Sequence, residues 1–178
     1  MKGRRNNLMF YLWYLLFECF IASFLAFFIA QYYIITNKKF PYIFELMNIY
    51  NFIASILFIK ILSIEYIKFA NFLLFIILIL FYVRSYLTAK DKFDSRFRSM
   101  ILSFGYTRET YFYKFLMKRI LLRGLEGFSF SIALVLLVNK IPFWLNFKNN
   151  FDEFLYVLIF LIGAGIVKAT NFGKISRT

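Results

Sequence analysis

Histidine is absent from the 178 residues and cysteine occurs once, as Cys19. A metal centre built on imidazole or thiolate has at most one donor, and an intrachain disulfide is excluded. Acidic residues are scarce too, 9 against 22 basic ones, for a formal net charge of +13. Only two prolines and seven glycines occur; no Pro- or Gly-rich stretch marks a linker, and residues 1–178 read as a single membrane domain. No phosphate-cradling loop, metal cluster or nucleophile with its base is present, so neither enzymatic activity nor a cofactor is predicted.

What is abundant is apolar. Hydrophobic residues make up 62% of the chain and aromatics 24%, gathered in blocks too long for a water-facing fold. The positive charge sits between those blocks rather than on a face with interleaved aromatics. It therefore points to membrane topology and not to nucleic acid as partner. The basic start Met1–Asn7 is followed by an apolar run, Leu8 to Ile35, too long for a signal-peptide core, and this run is expected to remain as an anchor.

Helices of roughly 20 residues are needed to cross about 30 Å of hydrocarbon. Four segments qualify: 8–35, 67–87, 120–138 and 154–170. Backbone groups in lipid must satisfy one another within the segment, so these are helices. Of the basic residues, 16 fall in the N-terminal tail, the stretch Arg84–Arg123 and the C-terminal end, and 6 in the intervening stretches. With four spans this predicts an all-α integral membrane bundle, both termini and the central loop 88–119 in the cytoplasm of a bacterial inner membrane. Segment 36–66 then belongs to the outer side. Its apolar centre carries Lys60 and is read as one or two helices at the outer interface or packed on the bundle, entered by a turn at Pro41.

The central loop carries most information. Phe93, Phe97, Met100, Ile101 and Phe104 recur at helical spacing, with Arg96 and Arg98 on other faces, which predicts an amphipathic cytoplasmic helix. Gly105 is expected to end it with a positive φ, and Thr107 to cap a second helix that feeds into the third span. Two readings follow: a helix lying on anionic headgroups, or a lever on which a soluble partner pushes.

In this region the chain resembles the FtsX family of permease-like subunits, which includes the MacB and lipoprotein-release membrane proteins. The resemblance covers Phe81 to Val138 and rests on Arg96, Phe97 and Met100, then Phe104, Gly105, Tyr106 and Thr107, then Phe115, Gly124 and Gly127. It implies a non-catalytic, homodimeric membrane subunit whose coupling helix receives a cytoplasmic P-loop ATPase like FtsE, in cell division and wall-hydrolase control or in export or lipoprotein release. The chain departs from the family between the first two spans, where about 30 residues, Thr36 to Tyr66, replace a folded domain.

Charges inside the spans form a second group of candidates. Glu18 lies deep in the first span, where an ionised carboxylate is costly unless paired or wet. Glu18 is expected to pair with a basic residue on another helix or to be protonated; without a second deep acid, a histidine or a broken span, structural pairing is favoured over proton-coupled transport. Glu126 follows Arg123 by three residues, spacing that predicts a local ion pair. Alternatives from other classes are a scaffold whose basic loop binds lipid and a small channel, the latter disfavoured by the few polar residues within the spans.

Overall fold

A computed structural model describes the backbone of residues 2–36, 38, 41–63, 66–140 and 151–175, and the side chains of 13–36, 38, 41–63, 66–91, 97–138 and 155–169. Among the described residues the chain is helical and contains no strand. The helices are α1 (Lys2–Thr36), α2 (Tyr42–Leu46), α3 (Ile49–Leu62), α4 (Ile67–Ser103), α5 (Arg108–Tyr111), α6 (Met117–Lys140) and α7 (Phe151–Ile175), with a π-helical turn, Phe112–Leu116, joining α5 to α6.

The exposure pattern is that of a protein surrounded by lipid. Along α1 the buried residues are Leu15, Cys19, Ala22, Ala26, Ala30 and Ile34, whereas Trp13, Phe17, Phe20, Phe24 and Phe28 face outward. Small side chains thus point in and large aromatics out. In water this would forfeit the hydrophobic gain of the largest groups. In hydrocarbon, helix association depends on close backbone approach, which small residues permit.

Three stretches are long and apolar enough to cross a membrane: Trp13–Thr36, Ile67–Asp91 and Arg108–Val138. The chain is a multi-pass helical membrane protein. The fourth expected span, 154–170, falls in α7, whose described side chains give the shorter apolar run Leu155–Ala169, and Ile49–Leu62 is a second short run.

Helix directions follow from which residues meet. Cys19 lies beside Tyr82, and Ser23 shares a 2.7 Å hydrogen bond with Tyr86 across a sequence separation of 63. Both pairs have the same offset, so α1 and α4 run side by side in the same direction. In α6, Ser131 meets Tyr82 at 2.5 Å while Gly124 lies under the Tyr86 ring, so α6 runs opposite to α4. Phe52 of α3 stacks on Phe81 with ring centroids 3.8 Å apart, and α3 ends at Leu62, just before α4 begins. Helix α3 therefore lies antiparallel along α4 and also packs on α6 and α7.

This arrangement departs from the sequence-based topology. Two parallel helices, α1 and α4, require the chain between them to travel back along the bundle. Helices α2 and α3 do so, taking the second of the two placements expected for 36–66, packed on the bundle. The N-terminal end of α1 and the Gly105 turn consequently sit at opposite ends of the molecule, not on one side as predicted. The expectation relied on basic residues alone, which report the preferred side of each loop but not which apolar stretches pack together.

Candidate functional site

The first candidate region is the elbow after α4. The predicted amphipathic helix is not a separate element: α4 continues unbroken from Ile67 to Ser103. It ends as expected, with Gly105 at φ 85°, a backbone region that side chains with a Cβ rarely enter. Thr107 then caps α5, its hydroxyl oxygen accepting from the Thr110 N–H at 3.2 Å. Beyond the π-helical turn, Phe112, Leu116 and Ile120 follow at four-residue spacing and are all buried, which anchors the returning arm to the core.

The predicted coupling residues separate into two sets. Ile101 is buried, whereas Phe97, Met100, Phe104 and Tyr106 are exposed, Phe104 at 73%. Tyr106 packs edge-on against Phe115, centroids 5.6 Å apart, and Lys114 sits over its ring. Arg98 is half-buried. Phe93 and Arg96 lie on the α4 backbone, but their side chains fall outside the described residues.

The second region was not anticipated from sequence. Helix α2 gives way to α3 at Met47–Asn48, and side chains satisfy the backbone groups freed by the break. The Asn48 carboxamide oxygen accepts from the N–H groups of Tyr50 at 3.0 Å and Asn51 at 3.2 Å. Its amide donates to the Gly165 carbonyl of α7 at 2.7 Å, and the Asn51 amide donates to the Leu46 carbonyl at 2.6 Å. Interrupted helices at membrane depth persist when protein groups meet their open backbone positions. The signal in the sequence was Asn48 three residues before Asn51, an N-cap pattern inside an apolar stretch.

Beside this break lies a cavity of about 390 Å³ between α2, α3, α4, α6 and α7. Its charged wall holds Glu45, Arg84, Arg123, Glu126 and Lys168, and its apolar wall holds Met47, Ile49, Phe81 and Phe130. Arg123 and Glu126 form the ion pair expected from their spacing. Arg84 has Asp91 and Glu45 within electrostatic reach, and Lys168 sits over the Tyr50 ring, 4.9 Å from its centroid. The sequence placed Arg123 and Glu126 among the candidates; only the fold brings Arg84, Glu45 and Lys168 to them.

Glu18 belongs to neither region. It is half-buried beside Cys19, and among the described residues no ion-pair or hydrogen-bond partner faces it, so the expected cation from another helix does not appear there. No group of His, Cys, Asp and Glu able to hold a metal occurs among the described residues. Compared with known protein families, curated proteins and solved structures, the chain matches none.

Proposed function

We propose that this chain is a non-catalytic membrane subunit that receives a cytoplasmic P-loop ATPase on the α4–α5 elbow and passes its motion into the helix bundle, as the FtsX-like motif implies. The observation carrying this reading is the continuity of the elbow's arms. One arm is α4, a single helix from Ile67 to Ser103 that includes an apolar span. The other runs through Arg108–Val138 into the next span. A force on exposed Phe97, Met100 and Phe104 has no flexible linker in which to dissipate.

The accompanying topology places the elbow end in the cytoplasm of a bacterial inner membrane. Among basic residues with described side chains, Arg84, Lys90, Arg98, Arg108, Lys114, Lys118, Arg119, Arg123, Lys168 and Lys38 lie toward that end, against Lys60 and Lys68 toward the other, to which the start of α1 adds Lys2, Arg4 and Arg5. Positive residues favour the cytoplasmic face. With α1 parallel to α4, the N-terminal end of α1 then lies outside, and α2 and α3 form a fifth, interrupted crossing. Since segment 36–66 is occupied in that crossing, the output of the coupling lies within the bundle. Division control and export remain the processes that the motif implies, and homodimerisation the assembly.

The test is co-purification with the P-loop ATPase expressed alongside. Arg98→Glu and Gly105→Val should each abolish the association while membrane insertion persists. An intact complex with both variants would reject the elbow as the docking site.

A further inference from the structure

We infer that the cavity beside the α2–α3 break binds the phosphate head group of a membrane lipid from the elbow-side leaflet, with an acyl chain lying along Phe81 and Phe130. Three observations converge on this occupant: the charge of the cavity, its level in the bundle and its side opening.

Arg84, Arg123 and Lys168 place three cations around one cavity, with the carboxylates Glu45 and Glu126 in the same lining and Asp91 within electrostatic reach of Arg84. Lys168 meets the Tyr50 ring and no carboxylate among the described residues, and the other two are guanidinium groups, whose fork of donors matches phosphate oxygens. The side chains of Glu45, Arg84 and Lys168 are half-buried, so they are withdrawn from bulk water while remaining reachable through the cavity.

The level of the site fits a head group. Arg84 interrupts the apolar sequence of α4, which runs without charge from Phe69 to Val83, and Phe81 marks the apolar end of the cavity one turn before it. Phosphate at Arg84 therefore leaves the attached chains beside Phe81 and Phe130, in the apolar part of the bundle. Phe130 is 37% exposed and Glu126 faces outward, so this side of the cavity opens laterally.

Helices α6 and α7 both pack on α3 and both line the cavity, and its open side is the one that carries Phe130 and Glu126. A free anion would need an aqueous path to this point, whereas a lipid enters sideways from the bilayer. The break at Met47–Asn48 contributes Met47, Asn48 and Ile49 to the lining, consistent with the rule that irregular backbone at membrane depth borders a cavity.

The experiment uses the full chain, purified and delipidated in detergent, titrated with phosphatidylglycerol and read by native mass spectrometry. The expected result is one retained lipid per chain, not displaced by millimolar inorganic phosphate and not replaced by diacylglycerol. Losing one charge-assisted contact should weaken retention about tenfold in Arg84→Gln and in Lys168→Gln. Lys68→Gln, at the far end of the bundle, should retain lipid like the parent. If Arg84→Gln fails to give a monodisperse protein, Lys168→Gln decides, because Lys168 is partly exposed and its removal opens no core cavity. Equal retention by parent and Lys168→Gln would overturn the inference. So would displacement by inorganic phosphate, which indicates a soluble anion site, or equal binding of diacylglycerol, which indicates an acyl groove without head-group recognition.

Discussion

The Ser23 hydroxyl meets the Tyr86 hydroxyl at 2.7 Å, and below the same tyrosine ring lies Gly124 of α6. This one side chain ties together three helices, two running in one direction and the third in the other. It is also nearly inaccessible, 3% exposed, so its position cannot relax freely.

A Cβ on Gly124 would stand 2.5 Å from Tyr86 Cε1, well inside van der Waals contact. Gly124→Ala should destabilise the protein by about 1–3 kcal/mol through overpacking. Gly124→Ala combined with Tyr86→Leu should lose less than the sum of the two single changes, since the second removes the obstacle met by the first. Thermal unfolding in detergent, followed by loss of monodisperse protein, measures both. Strict additivity would mean that the ring and the glycine do not meet.

The α2–α3 break depends on Asn48. Asn48→Leu removes the cap from the N–H groups of Tyr50 and Asn51, a loss of about 0.5–2 kcal/mol, and leaves the part-buried carbonyl of Gly165 without its partner. Asn48→Asp keeps the accepting oxygen for the two N–H groups but presents no amide to Gly165, so it should fall between the parent and Asn48→Leu in unfolding midpoint. A ranking with Asn48→Asp worst would point to the α7 contact as the main role of this residue.

Gly105 holds φ 85° with open space around it. Substitution is therefore a backbone question rather than a steric one. Gly105→Val should cost about 1–3 kcal/mol of local strain and displace the elbow, whereas Gly105→Asn, a residue that tolerates left-handed backbone, should retain most partner binding. Partner affinity of the two variants, measured side by side, separates conformation from mere change of residue.

The parallel pairing of α1 and α4 makes a topological prediction. In a Cys19→Ser background, Lys68→Cys should react with a membrane-impermeant maleimide added to spheroplasts, whereas Lys38→Cys, just after α1, and Thr107→Cys should react only after permeabilisation. The reverse labelling of all three would invert the proposed orientation, and labelling of Lys38→Cys from the same side as Lys68→Cys would contradict the parallel pairing.

Glu18 faces no cation among the described residues, so removing its charge deletes no ion pair with any of them. Glu18→Gln should leave the unfolding midpoint unchanged or raise it, because an intramembrane carboxylate without a partner is a cost to folding. A clear drop would reveal a partner for Glu18.

Several local features were legible in the chain. The Gly105 turn, the Thr107 cap and the Arg123–Glu126 pair depend on residues within four positions of one another, so spacing alone defines them. The small-residue repeat Ala22, Ala26, Ala30 was equally local, and it marks the face of α1 that the structure buries.

Composition by itself determined that this protein is helical and belongs in a membrane: its apolar blocks leave backbone groups no partners except their own helix. Composition could not decide how the helices pair. In lipid every face of a helix is apolar, so the amphipathic period that reports the buried side of a soluble helix is missing. Only tertiary structure set α1 parallel to α4, folded Asn48 against Gly165 across a separation of 117 residues and gathered Arg84, Arg123 and Lys168 around one cavity. Those contacts join distant parts of the chain, and their geometry is fixed by which small residues let two backbones approach.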